Sequence, residues 1–348
     1  MLGVLSKSFD RKTALRHETG RGKTGDTPVL TAFLTTLQQM LRIVILLTIG
    51  FAFNRSGLIT RAAEQVLSKL VTLLFLPCLT LYTYMVNCDF AALITYSRWA
   101  LIGGGCMAVS IGCALPLARL FGGRDAYLRG VYRYAFAFPN TGGVLTPMIL
   151  ALFGTAGLFK SSMFLFINGI LCYTWGIMQL QPAEGRHTLW FYLRRIFNAN
   201  FIAMLIGIVL GLAGAKNWMP EMALSLIDEL GGCYVTIALL LTGFSIADYP
   251  IRSVVSDRRV YAYSLLRLLV LPGVFLVLMK LMDAPPMLAL VAVLTFGCPC
   301  GMNTVVFPAA YGEDCRPGAS MVLVSSVLSI FTVSILYALV TAVFGAPV

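Results

Sequence analysis

Charge is what this chain has least of. Asp, Glu, Lys and Arg make up only 12% of its 348 residues, and there are two histidines. Soluble globular proteins carry about 25% charged residues, so this set cannot solvate the surface of a soluble 37.9 kDa chain. That shortage argues against a cytosolic enzyme, a secreted domain and a nucleic-acid binder. The net charge of +11 is no nucleic-acid footprint, because the bases are scattered through short segments between apolar runs. Long polar connections are missing too; the longest holds Gln181-Pro182-Ala183-Glu184-Gly185-Arg186-His187. There is no CxxC pair, and most of the nine cysteines fall inside apolar runs, where they pack as small hydrophobes. No metal or other cofactor is expected. No apolar run contains a deep Asp or Glu, or the constellation that an intramembrane enzyme needs, so the chain does not read as an enzyme.

Apolar residues are abundant instead, at 58%, with a mean hydropathy of +0.84. About 20 apolar residues cross a hydrocarbon core of roughly 30 Å as a helix. Ten candidate spans follow: Leu34–Phe53, Leu67–Val86, Trp99–Phe121, Tyr134–Phe153, Ser162–Leu180, Phe201–Ala215, Cys233–Ala247, Tyr261–Met282, Met287–Tyr311 and Ala319–Phe344. The sixth and seventh are short as written and are expected to extend into their flanks. The runs are continuously apolar, which favours helices over a barrel of alternating strands. Residues 1–33 are expected to be a polar, disordered tail, 34–181 and 198–348 two transmembrane halves, and 182–197 a cytoplasmic linker.

The bases suggest an orientation. Counted with the adjoining span ends, connections after odd-numbered spans hold fourteen Lys and Arg, those after even-numbered spans four. The positive-inside rule then puts the odd connections in the cytoplasm and both termini outside. The six bases of the tail, Lys7 to Lys23, oppose that assignment.

Two spans are interrupted. The fourth contains Phe138-Pro139-Asn140-Thr141-Gly142-Gly143, with Thr146-Pro147 following; the ninth contains Gly297-Cys298-Pro299-Cys300-Gly301-Met302-Asn303-Thr304. Proline and glycine in mid-span remove helical hydrogen bonds, and unwound backbone at bilayer depth survives only where protein or a watery cavity surrounds it. The two interruptions are the fourth members of two five-span halves. Since five is odd, the halves have opposite orientations. Gly/Pro-interrupted spans at matching places in inverted halves point to a transporter's substrate site. Half-helices starting after Pro139 and Pro299 would aim positive dipole ends at an anion, with Asn140 and Asn303 beside them. Gly142, Gly143 and Gly301 would allow close backbone approach. Pro77, Pro116 and Pro272 lack the Gly/Asn context and read as plain kinks.

These residues resemble the auxin efflux carrier family of membrane transport proteins. Pro139-Asn140-Thr141, Thr146-Pro147 and Leu152-Phe153-Gly154 are similar to one stretch of that family. Pro299-x-Gly301, Asn303, Val306-Phe307 and Tyr311-Gly312 are similar to another. Gly50-Phe51-Ala52-Phe53, Leu76-Pro77, Thr242-Gly243 and Leu266-Arg267-Leu268 through Pro272 follow in the expected order, and the likeness spans about residues 34 to 344. Leu145 departs from it, standing where the family usually has glycine, and is expected to alter substrate size. The resemblance implies an all-α integral membrane fold of ten helices in two inverted five-helix repeats, with broken, crossed fourth and ninth helices between a scaffold and a mobile core. It implies export of a small organic anion such as malate or another carboxylate, a multi-pass place in the plasma (inner) membrane, and a homodimer. The lipid bilayer is the other partner, and nucleic acid is not one.

Charged residues inside spans are functional candidates by default. Arg267 and Arg42 are candidates to meet a substrate carboxylate, Arg42 also to snorkel. Tyr82 and Asn168 are further polar candidates. Thr141 and Thr304, with the asparagines, could hold a sodium ion. Two alternatives therefore stand beside the efflux carrier: a sodium-coupled organic anion symporter, and a membrane sensor of the same fold that binds ligand without moving it.

Overall fold

A computed structural model describes residues 28–58, 60–181, 196–247, 257–310 and 312–347. The basic tail and most of the 182–197 linker lie outside the described residues. Helices account for nearly everything else: α1 (Pro28–Arg55), α2 (61–87), α3 (Phe90–Gly122), α4 (Ala126–Ala137), α5 (141–153), α6 (155–180), α7 (Ala199–Leu212), α8 (Glu221–Ile246), α9 (Arg258–Leu281), α10 (Pro286–Gly297), α11 (Asn303–Ala310) and α12 (Arg316–Phe344). Seven helical stretches are long and apolar enough to cross a membrane.

Helix ends follow local chemistry. Asp89, Asp125, Asn198 and Asp257 each cap the helix that follows them, accepting a backbone N–H of its first turn. The first helix begins six residues before the expected Leu34. Of the two spans expected to lengthen, only the seventh does so substantially: α8 starts at Glu221, twelve residues before Cys233. The connection expected between the fourth and fifth spans shrinks to Gly154, whose φ of 62° and ψ of −162° suit only glycine.

Three prolines share one device. Pro77, Pro147 and Pro272 each stand two residues after a π-helical turn, respectively Val71–Phe75, Thr141–Leu145 and Leu266–Val270. A proline inside a helix lacks its N–H and clashes with the carbonyl four residues back. The wider π turn moves that carbonyl away, so the helix continues. Pro147, expected to break the fourth span, is therefore absorbed. Pro139 and Pro299 have no such turn before them, and there the helix does stop.

The helices sort into two bodies. α1 packs on α8, and α2 packs on α7 and α8. α3 packs on α4, α5 and α6, and α12 packs on α9, α10 and α1, joining the bodies. Where α1 meets α8, the backbones touch through reciprocal glycines. A Cβ at Gly50 would collide with the Leu240 carbonyl, and one at Gly243 with that of Leu47. α10 is different from the rest, because every residue from Met287 to Gly297 is buried. Its 12 residues span only about 18 Å, so it ends inside the molecule, as does α4 opposite it.

Gly154→Ala should lower stability by about 1–3 kcal/mol through backbone strain alone, since a Cβ there meets nothing within 4 Å. Gly243→Ala should destabilise by a similar amount through overpacking. Gly112→Ala, in open space on α3, should leave the apparent Tm of the detergent-purified protein unchanged or raised.

Candidate functional site

The ends of α4 and α10 meet. Their interruptions run antiparallel and form one isolated backbone bridge, Pro139 to Cys300, in which the Asn140 N–H donates to the Pro299 carbonyl at 2.9 Å. Proline dictates this arrangement. In a continuous helix Ala135 would accept from residue 139 and Phe136 from residue 140. Pro139 has no N–H, and the Asn140 N–H has gone to the other interruption. Three carbonyls are left over, and buried carbonyls need donors. Tyr263 O–H donates to Ala135 at 3.0 Å; Ser110 O–H donates to Phe136 at 3.4 Å and Ala137 at 3.3 Å. At the second interruption the Cys300 N–H donates to Ser325 Oγ at 2.9 Å.

On the opposite side of the bridge opens a cavity of about 360 Å³. Pro139, Asn140, Thr141, Gly142, Gly301 and Asn303 line it, drawn from both interruptions. Thr146 of α5, Asn168, Cys172 and Tyr173 of α6, Asn200 of α7 and Tyr234 of α8 complete the polar part of the wall. None of its described lining residues is charged. The volume suits a small molecule.

The asparagines differ in what they have to give. Asn140 caps α5, its Oδ1 accepting the Gly143 N–H at 2.9 Å. That orients Nδ2 as a donor with no protein acceptor among the described residues. Asn303 instead donates through Nδ2 to the Tyr134 hydroxyl at 2.7 Å, which lies 3.0 Å from Cys172 Sγ. Its donor is committed within the protein. The first-turn amides of α5 are also largely used: Thr141 donates to Pro139, and Gly143 and Val144 to Asn140. The dipole of α5 therefore reaches the cavity mostly through the Asn140 amide.

Other expected residues fall elsewhere. Thr304 is fully buried with its hydroxyl on the Gly301 carbonyl at 2.8 Å, and it does not line the cavity. Arg267 is also fully buried, donating to the Phe136 and Cys298 carbonyls on the side of α9, and it does not line the cavity. Arg42 is exposed on α1. Tyr82 is half-buried and lines neither this cavity nor the groove of about 210 Å³ beside it, where Thr80, Thr83 and Tyr84 stand. Leu145 faces the core, 1% exposed, so it cannot set the size of this cavity.

The glycines also have other reasons than expected. A Cβ at Gly143 would press on the Asn140 side chain at 2.8 Å, and one at Gly142 on the Tyr234 hydroxyl at 3.2 Å. A Cβ at Gly301 would meet only ordinary contact, with the Pro139 carbonyl at 3.5 Å. Sequence reasoning missed Tyr173, Asn200 and Tyr234. Asn200 accepts the Thr80 O–H at 2.6 Å, and Tyr234 donates to the Gly142 carbonyl at 3.1 Å. The sequence carried a signal for Tyr234, a polar-tipped ring early in an apolar run.

A family model described as membrane transport protein matches residues 35–190 and 186–337, nearly the whole helical part of the chain. The chain belongs to the auxin efflux carrier family. As a member of that family it is a multi-pass membrane transporter. No curated protein matches it. The two matched stretches meet at 186–190, within the segment that separates α6 from α7.

Because Asn140, unlike Asn303, has an uncommitted donor, Asn140→Ala should weaken binding of an anionic ligand about 10- to 100-fold, the worth of a hydrogen bond to a charged group. Asn303→Ala should cost less than tenfold. Titration of both purified variants with the same ligand checks the order.

Proposed function

We propose that this carrier moves a small organic anion, such as a carboxylate, out of the cell by alternating access around crossed fourth and ninth spans (α4–α5 and α10–α11). One observation carries the reading: both interruptions contribute to one small cavity, lined by amides, hydroxyls and asparagines. An anion gains there from the N-terminal end of α5 and the Asn140 donor without needing a fixed charge beside it. On this reading the chain forms two inverted halves of five spans, divided at the 182–197 linker. α1, α2, α7 and α8 serve as the scaffold, and the other helices as the moving body. The charge pattern of the connections puts the amino terminus outside the plasma membrane.

Counterflow in proteoliposomes tests the proposal, using radiolabelled malate, succinate, malonate and indole-3-acetate with sodium and proton gradients set independently. Flux of at least one of these anions is expected, at least tenfold reduced by Asn140→Ala in protein that stays monodisperse. Binding without exchange would favour a sensor, and flux that requires sodium would favour a symporter. No binding and no flux across the panel would overturn the assignment to small carboxylates.

A further inference from the structure

Arg267 carries a charge in the centre of the protein with no carboxylate among its described contacts. It is completely buried, and such a burial costs several kcal/mol unless hydrogen bonds and dipoles offset it. Its partners are two main-chain carbonyls from two different helices. Nη1 donates to Phe136, in the last turn of α4, and Nε donates to Cys298 at 3.3 Å, the residue just after α10. Both carbonyls were released by helix breaks: Phe136 lost the Asn140 N–H to Pro299, and Cys298 stands where the helix of α10 has already stopped. Both also lie at the negative ends of helix dipoles, where a cation is favoured. Tyr263, one turn earlier on α9, takes another released carbonyl, that of Ala135, and its hydroxyl also contacts the Cys300 side chain.

We propose that Arg267 is a positioning residue: its guanidinium fork, aided by Tyr263, fastens the two interruptions into a single body, so that Asn140 and Asn303 stay on one cavity. The fork matters as much as the charge. A guanidinium presents donors in a fixed plane and reaches two acceptors on separate helices, whereas an ammonium acts as a point. Nη2 makes no hydrogen bond among the described residues, so the bonds from Nε and Nη1 account for the clamp. The breaks are otherwise joined directly by the single Asn140–Pro299 bond among the backbone bonds described between them. Arg267 would therefore act through the asparagines and not on the transported anion itself.

Hydrogen–deuterium exchange in nanodiscs, read by mass spectrometry, tests this without any substrate. Arg267→Met should speed exchange at least tenfold in peptides covering 135–145 and 298–305, while peptides from α1 and α8 keep the wild-type rate. Arg267→Lys keeps the charge but loses the fork, and should loosen the same two segments. Tyr263→Phe removes a hydroxyl that donates to the Ala135 carbonyl and also contacts the Cys300 side chain; it should speed exchange in 135–145, and in 298–305 by less than Arg267→Lys does. Should Arg267→Met fail to fold, the Lys and Phe variants still decide. Wild-type exchange at both interruptions in Arg267→Lys, or an equal rise in every peptide, would overturn the clamp. A matching tenfold loss of malate counterflow in Arg267→Lys rests on the function proposed above, so loss of exchange protection without measurable wild-type flux would retain the clamp and reject the substrate.

Discussion

Every backbone N–H and C=O that leaves a helix inside a bilayer must find another partner, and water is not on offer there. Pro139 and Pro299 impose that requirement twice, in the middle of the molecule. The surrounding architecture can be read as the set of answers. α3 supplies the Ser110 hydroxyl, α9 supplies Tyr263 and Arg267, α12 supplies Ser325, and each interruption lends one group to the other. The helices that donate these groups all belong to the body that contains the interruptions. The opposite body makes fewer such contributions, Tyr234 on the Gly142 carbonyl being one. The interruptions are thus tied firmly on one side and lightly on the other, and the cavity lies on the lightly tied side.

The contrast between five prolines makes the same point. Pro77, Pro147 and Pro272 are absorbed by a π turn just before them, so their helices continue and no neighbour needs to intervene. Pro139 and Pro299 follow regular α-helix, and the chain leaves helical geometry at Phe138 and Cys298. A proline in a transmembrane run does not by itself announce an opening. The run of small residues after it decides, because Gly142 and Gly143 leave room for the Asn140 cap and the Tyr234 hydroxyl.

Much of this was legible in the residues. Apolar runs of the right length gave the helices, and the repeated Pro-Gly-Asn context singled out the two places where they fail; Asn140, Asn303, Thr141, Gly142 and Gly301 do share one cavity. What escaped was direction. Periodicity within a run that is apolar all round says nothing about which side chain faces the break, so Arg267 read as a ligand for the anion when it does not line the cavity. Thr304 and Leu145 failed for the same reason, pointing into the core. The π turns were invisible because they change the register by one residue without changing composition, and Gly154 was hidden because a single positive-φ residue replaced a whole expected loop.

The lack of a carboxylate among the described residues that line the cavity has an electrical consequence for the proposed transport. A fixed charge such as that of Arg267 returns with the protein in every cycle and does no net electrical work, and no described lining residue is a carboxylate that could take up a proton with the substrate. A carboxylate bound at Asn140 would then cross the membrane with its own negative charge uncompensated by the wall. Each elementary charge is worth about 2.3 kcal/mol per 100 mV of membrane potential, close to a fiftyfold concentration ratio. In a cell that is negative inside, that work favours exit of the anion. On the proposed function the potential therefore already pushes the anion in the direction of efflux, and the protein needs only to let it reach both sides in turn.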